Sequence, residues 1–212
     1  MSLNDLQTLF GQHPSSALVQ IHLSSLAGSS SSTNISLPLS PEVKSYPDAI
    51  YFNYFSIGLS LLFKPINGYK PKTGLLRDDL QDDKLVLGGL DIYNVRSPKE
   101  GQRKTKQPYS TYPADTIMLA LASVPDKPDR AKEIVVKVST TGKEFVEIMG
   151  EPERKGGGAG PSSGSIGIWC EWTKDGVLVE FGGEEARGPQ AWERGKDAVW
   201  NIITLFPPGQ SV

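Results

Sequence analysis

The residues able to do chemistry are few and thinly spread. Cys170 is the one cysteine of the chain and stands in the run Ile168-Trp169-Cys170-Glu171-Trp172. If that run is a strand, Cys170 shares a face with Ile168 and Trp172, where a thiolate would be desolvated and its pKa raised. A core cysteine is the expectation, not a nucleophile. Glu171 and Glu180 would face each other across a hairpin and could raise one pKa, as a general acid needs, but solvent and nearby cations blunt such a pair. His13 and His22 have no second histidine or cysteine at ligand spacing, so they read as structural. No nucleophile, base and orienting group can be assembled, and no catalytic residue, metal ligand or cofactor is assigned.

Residues suited to binding are better represented. Trp169, on the side of the hairpin opposite Cys170, goes with Arg187 and Trp192 in the following loop; tryptophan and arginine are the types enriched at binding hot spots. Arg154 and Lys155 precede a glycine-rich stretch, Gly156 to Gly167. Glycines let backbone N–H groups approach an anion, yet a P-loop needs Gly-Lys-Ser/Thr entering a helix, and here the glycines leave one. The reading is a surface loop with two cations beside it. Lys99, Arg103, Lys104 and Lys106 form a second basic run, in a proline-containing connector, and such runs are commonly just solvated. Asn34-Ile35-Ser36 matches a glycosylation acceptor and reads as a polar loop.

Composition narrows the partners. Lys+Arg 22 against Asp+Glu 24 leaves a net charge of −2, which supplies no overall field for nucleic acid or an anionic membrane. The most apolar stretch, Ala49 to Phe63, is interrupted by Asn53 and two serines and is too short to span a bilayer as a helix of about 20 residues. A single cysteine and a start without a basic-then-apolar signal point to a cytoplasmic protein.

These residues need elements to hold them. Asp175-Gly176 between two strand-forming runs predicts a two-residue hairpin turn in which 174 faces 177, 172 faces 179 and 170 faces 181. Ile168, Cys170, Trp172, Val177, Val179 and Phe181 then share an apolar face, and Trp169, Glu171, Thr173, Leu178 and Glu180 the other. One gapless shift superposes the earlier run Tyr51 to Phe63 on this hairpin, Gly58 falling on Gly176. There Ile57 would need positive φ, so a longer turn or a bulge at Gly58 is expected. Thr141-Gly142-Lys143-Glu144 is a capping box opening a helix that ends at Gly150; Ser2-Leu3-Asn4-Asp5 opens another that ends at Gly11. A further helix after Pro14 would present Leu18, Ile21, His22 and Leu26 on one face. Leu85 to Tyr93 and Ala198 to Phe206 follow their hairpins as strands, Thr116 to Ala122 and Glu133 to Val138 lie between the halves, and Pro189 to Arg194 suits one helical turn closed by Gly195.

The expected class is α+β: two degenerate helix, hairpin and strand repeats, antiparallel sheet with helices on one face. Boundaries fall at 1–96 for the first repeat, 97–139 for the connector and 140–212 for the second. This unit resembles that of the small lipoprotein of the bacterial outer-membrane assembly machine and, duplicated, of the β-lactamase inhibitor protein, which implies a protein-binding sheet surface. Asp48 to Gly58 followed by Leu61-Leu62-Phe63 resembles the strand pair of the eukaryotic phagophore assembly factor family, which implies association with autophagic membranes and phosphoinositides. The expectation is a non-enzymatic binding or adaptor protein using a sheet surface or inter-repeat groove. Its partner would be another protein, with weak phosphoinositide contact through Arg154 and Lys155 or the connector cluster. The alternative is a small-molecule or lipid carrier, or an enzyme, with a pocket between the repeats.

Overall fold

Both hairpins are closed by the same kind of turn, four residues long with glycine last. In the computed structural model, which describes residues 6–29, 39–95, 108–124, 129–158 and 167–210, Gly58 has φ +56° and Gly176 φ +68°. Gly58 N–H donates to the Phe55 carbonyl at 3.3 Å, and Gly176 N–H to the Thr173 carbonyl at 3.2 Å. Left-handed φ favours glycine, and a Cβ would come within 2.2 Å of the Ser110 oxygen at Gly58 and 2.0 Å of the Phe206 oxygen at Gly176.

The two-residue turn expected at Asp175-Gly176 is therefore corrected. Such a turn needs positive φ at Asp175, but among the described non-glycine residues only Asn67 has it. Asp175 instead turns its carboxylate inward to Arg130, and Trp172 pairs with Val177, Cys170 with Val179 and Trp169 with Glu180. The register slips by an even number of residues, so every side chain keeps its expected face. Ile168, Cys170, Trp172, Val177, Val179 and Phe181 are all buried.

Two units are distinguished, Thr8–Ala114 and Asp115–Val212, the latter also taking in Gln7. The class is α+β, with antiparallel sheets. In the first unit helix α1 (Ala17–Ser29) is followed by strands β1 (Glu42–Ser45), β2 (Ile50–Tyr54), β3 (Leu59–Pro65) and β4 (Leu85–Tyr93), each pairing with the next. Phe52, Leu59, Leu61, Phe63, Leu87 and Ile92 are among its core residues. The face of α1 differs from the expected one: Val19, His22, Leu23 and Leu26 are buried, while Leu18 and Ile21 are exposed. Apolar residues lie on more than one side of this helix, so spacing admits either stripe, and packing chooses; His22 Nε2 lies 3.2 Å from the Tyr112 hydroxyl. His13 Nδ1 is bonded to the Leu85 carbonyl at 2.7 Å. Of the first expected helix, residues 6–9 form a 3-10 turn, and Gly11 has φ +75°; its proposed cap at residues 2–5 lies outside the described residues.

In the second unit β5 (Thr116–Ala120) and β6 (Glu133–Lys137) make a two-stranded sheet. Helix α2 (Gly142–Met149) follows, then β7 (Arg154–Gly156), β8 (Trp169–Trp172), β9 (Val177–Phe181), the short helix α3 (Ala191–Arg194) and β10 (Trp200–Leu205). β7 to β10 form an antiparallel sheet in the order β10, β9, β8, β7. α2 begins with the expected capping box: Glu144 N–H reaches Thr141 Oγ1, and Thr141 N–H donates to Glu144 Oε2 at 2.7 Å. Phe145 and Met149 go inward, Phe145 lying 6.2 Å from Trp172 and 6.1 Å from Phe181. Burying a side chain of this size stabilises by about 1.5–3 kcal/mol. Gly195 caps the end of α3 as expected, but with φ −62° rather than in the left-handed region, so the chain runs on into a 3-10 turn, Gly195–Asp197. No helix among the described residues is long and apolar enough to cross a membrane.

Candidate functional site

The sheet face under α2 is not fully covered. Between α2 and α3 lies a pocket of about 420 Å³ with Ile168, Cys170 and Phe181 at its base, Val146 of α2 on one wall and Trp192 of α3 on another. Close approach shapes it: a Cβ at Gly195 would sit 2.1 Å from Ile168 Cδ1, and one at Gly142 2.5 Å from the Gly195 carbonyl oxygen. Lys143, Lys155 and Lys196 contribute to the lining, with Glu147 as the acidic member. Lys143 Nζ lies 3.5 Å from Glu147 Oε1, and Lys155 Nζ 5.7 Å from the centre of the Trp192 ring. Trp192 is 44% exposed. The result is an apolar base beneath an excess of positive charge.

β7 decides how the expected binding residues are grouped. It pairs Arg154 with Glu171, Lys155 with Cys170 and Gly156 with Trp169. Neighbouring strand residues point to opposite faces, so Arg154 and Lys155 serve different surfaces. Lys155 joins Trp192 at the pocket. Arg154 joins Trp169 on the other side, its guanidinium 5.9 Å from that ring, and it donates to Glu171 Oε2 at 2.9 Å. Gly156 lies against Trp169, where a Cβ would come within 2.6 Å of the indole. Trp169 and Trp192, grouped with Arg187 as binding residues in the sequence, thus lie on opposite sides of this sheet. Arg187 is exposed, and its backbone carbonyl accepts from Arg194 Nη2 at 3.1 Å.

The carboxylate pair is also corrected. Glu171 lies opposite Leu178 and Glu180 opposite Trp169. Glu171 is 1% exposed and accepts from Thr173 Oγ1 at 2.8 Å as well as from Arg154. Its role is that of a compensated buried anion. Cys170 lines the pocket from a buried position, and burial pushes its thiol up to about 11, Lys155 acting the other way and Glu151 with it. A thiol in that state is protonated near neutrality and a poor nucleophile. Among the described residues no three His, Cys, Asp or Glu side chains gather as metal ligands would. Lys99, Arg103, Lys104, Lys106, Asn34 and residues 159–166 of the glycine-rich stretch lie outside the described residues.

Sequence reasoning missed Lys143, Lys196 and Val146 as pocket residues. The signal was partly present: 143, 146 and 147 follow helical spacing after the capping box, but nothing local announces that α3 stands opposite. Comparison of the chain with protein-family models, with curated proteins and with solved structures returns no match.

Proposed function

We propose that the protein is a non-enzymatic intracellular binding module whose pocket between α2 and α3 receives an apolar side chain from a protein partner, with acidic residues flanking it. The observation that carries this reading is the apolar base formed by Ile168, Cys170 and Phe181 beneath Lys143, Lys155 and Lys196. An apolar anchor gains from leaving water, and the lysines favour partners of opposite sign and speed their encounter. The absence of histidine from the lining, with the protonated Cys170 thiol, supports binding over catalysis.

The test is titration with short peptides bearing one Leu or Phe flanked by glutamates. Binding is expected, with loss in the double variant Lys155→Glu and Lys196→Glu and retention in Arg187→Glu. Equal binding of peptides with lysine in place of glutamate would overturn the reading.

The same lysines support a second reading, contact with a phosphoinositide-bearing autophagic membrane. Each basic side chain near an anionic surface contributes about 1 kcal/mol, so attachment would be weak and salt-sensitive. Lys155 would matter more than Arg154, which is tied to Glu171 on the other face. Sedimentation with phosphoinositide liposomes at low salt, lost on Lys155→Glu and kept on Arg154→Glu, would favour the membrane. Kinship of the two hairpins as copies of one repeat belongs to this proposal too; their matching turns at Gly58 and Gly176 support it.

A further inference from the structure

The Thr8–Ala114 unit carries a cleft of opposite character, about 590 Å³, walled by tyrosines and bearing carboxylates. The strand register builds it. Asn53 of β2 pairs with Ser60 of β3, and Ser60 with Asp91 of β4, so the short Ser60 side chain leaves a hollow in this face of the sheet. Ser60 Oγ donates to Asn53 Oδ1 at 2.9 Å, and the Tyr109 hydroxyl donates to the same oxygen at 2.7 Å. Tyr109 is held further by stacking on Tyr93, rings 3.7 Å apart and 5° from parallel, and by the Phe55 edge at 4.7 Å. These contacts form the floor and back wall.

The front is a corner. Tyr46 and Tyr51 stand at 82° with ring centres 6.2 Å apart, an arrangement that presents aromatic faces and edges at right angles. Asp48 and Asp91 line the same cleft. The lysine of the lining, Lys44, has its ammonium 3.5 Å from Glu42 on the same strand, so carboxylates outnumber cations where the rings meet. Burial, then Asp91, then Asp48 hold the Tyr51 phenol above its ordinary value, which fits a negative local potential.

We propose that this cleft binds an organic cation of the alkylammonium class, seated against Tyr46 and Tyr51 beside the Asp48 carboxylate. Aromatic faces attract a diffuse, weakly hydrated cation through their quadrupole, and methylated ammonium groups match that chemistry. Ring faces do not ligate hard metal ions, which require converging oxygens. The chemistry is shared by a quaternary ammonium metabolite and by a methylated lysine side chain, and the test separates them.

Calorimetric titration of the full chain compares choline, N-acetyl-trimethyllysine methyl ester, the unmethylated lysine ester and 3,3-dimethylbutanol, the uncharged isostere of choline. Choline or the trimethyllysine ester should bind at least about tenfold more tightly than the isostere, and the tighter of the two identifies the source. Tyr46→Ala and Asp48→Asn, both at exposed positions, should each weaken binding several-fold with unchanged circular dichroism. Equal affinity for the neutral isostere, indifference to both substitutions, or no heat from either methylated cation at millimolar concentration would overturn the proposal.

Discussion

Arg130 grips Asp175 through two parallel hydrogen bonds, Nη1 to Oδ1 at 2.8 Å and Nη2 to Oδ2 at 2.5 Å. Asp175 is 1% exposed and Arg130 11%. The guanidinium also donates to the carbonyls of Ala122 and Met149, at 2.8 and 2.9 Å, while Ala122 N–H donates to Asp175 Oδ1 at 2.8 Å. One ion pair therefore fastens the β8–β9 turn to the end of α2 and to the chain after β5. Asp175→Ala strands a nearly buried cation, and such losses cost roughly 3–5 kcal/mol. Urea unfolding should show the drop in midpoint, with partial recovery when Arg130→Met is added.

Gly58→Ala and Gly176→Ala should each destabilise by more than the roughly 1 kcal/mol of left-handed strain alone, because a Cβ also meets the Ser110 or Phe206 carbonyl. Gly11→Ala is the internal control: its φ is +75°, but nothing lies within 4 Å of the added atom. Thermal unfolding of the three variants should rank Gly11→Ala as the mildest.

The capping box gives α2 a pH signature. Hydrogen bonds from the Thr141 backbone N–H and then its hydroxyl hold the Glu144 carboxyl below its ordinary 4.5. A depressed folded pKa means stability present above the unfolded value and lost as pH falls through the folded one. Glu144→Gln should be less stable than the native chain at neutral pH, by less than about 1 kcal/mol for so exposed a group. The gap should close in acid below 4.5, as read by calorimetry.

Cys170 predicts the opposite sign at high pH. Its thiol ionises near 9 when free and near 11 when folded, so the unfolded chain releases its proton first. Stability from this group is complete below about 9 and is lost as pH rises toward about 11. Cys170→Ala should abolish that alkaline component, and maleimide should label the native protein far more slowly than the urea-unfolded one at neutral pH.

The sequence made strand faces legible but not neighbours. Alternation alone sorts Ile168, Cys170 and Trp172 from Trp169 and Glu171, since any even slip of register preserves it. The register itself depended on Arg130, distant in sequence, drawing Asp175 into a different turn. The capping box at Thr141 was legible because its bonds span few residues. β7 was not: three residues beside a glycine run carry no period, yet that strand separates Arg154 from Lys155. Tyr46, Tyr51, Tyr93 and Tyr109 likewise share a cleft only through pairing and loops that no local pattern encodes.

Gln7 has a consequence for the order of synthesis. Its amide nitrogen donates to the Ala120 carbonyl at 3.1 Å and to that of Asp175 at 3.4 Å, and its amide oxygen accepts from Ala120 N–H at 2.7 Å. The β1–β2, β2–β3 and β3–β4 pairings join strands that follow one another in the chain, and contacts of that kind form early. Gln7 belongs to the unit whose remaining residues, from Asp115 on, follow those strands. Residues 8–114 lie between Gln7 and the rest of its unit, so its bond to the Asp175 carbonyl closes only after that whole segment has been made.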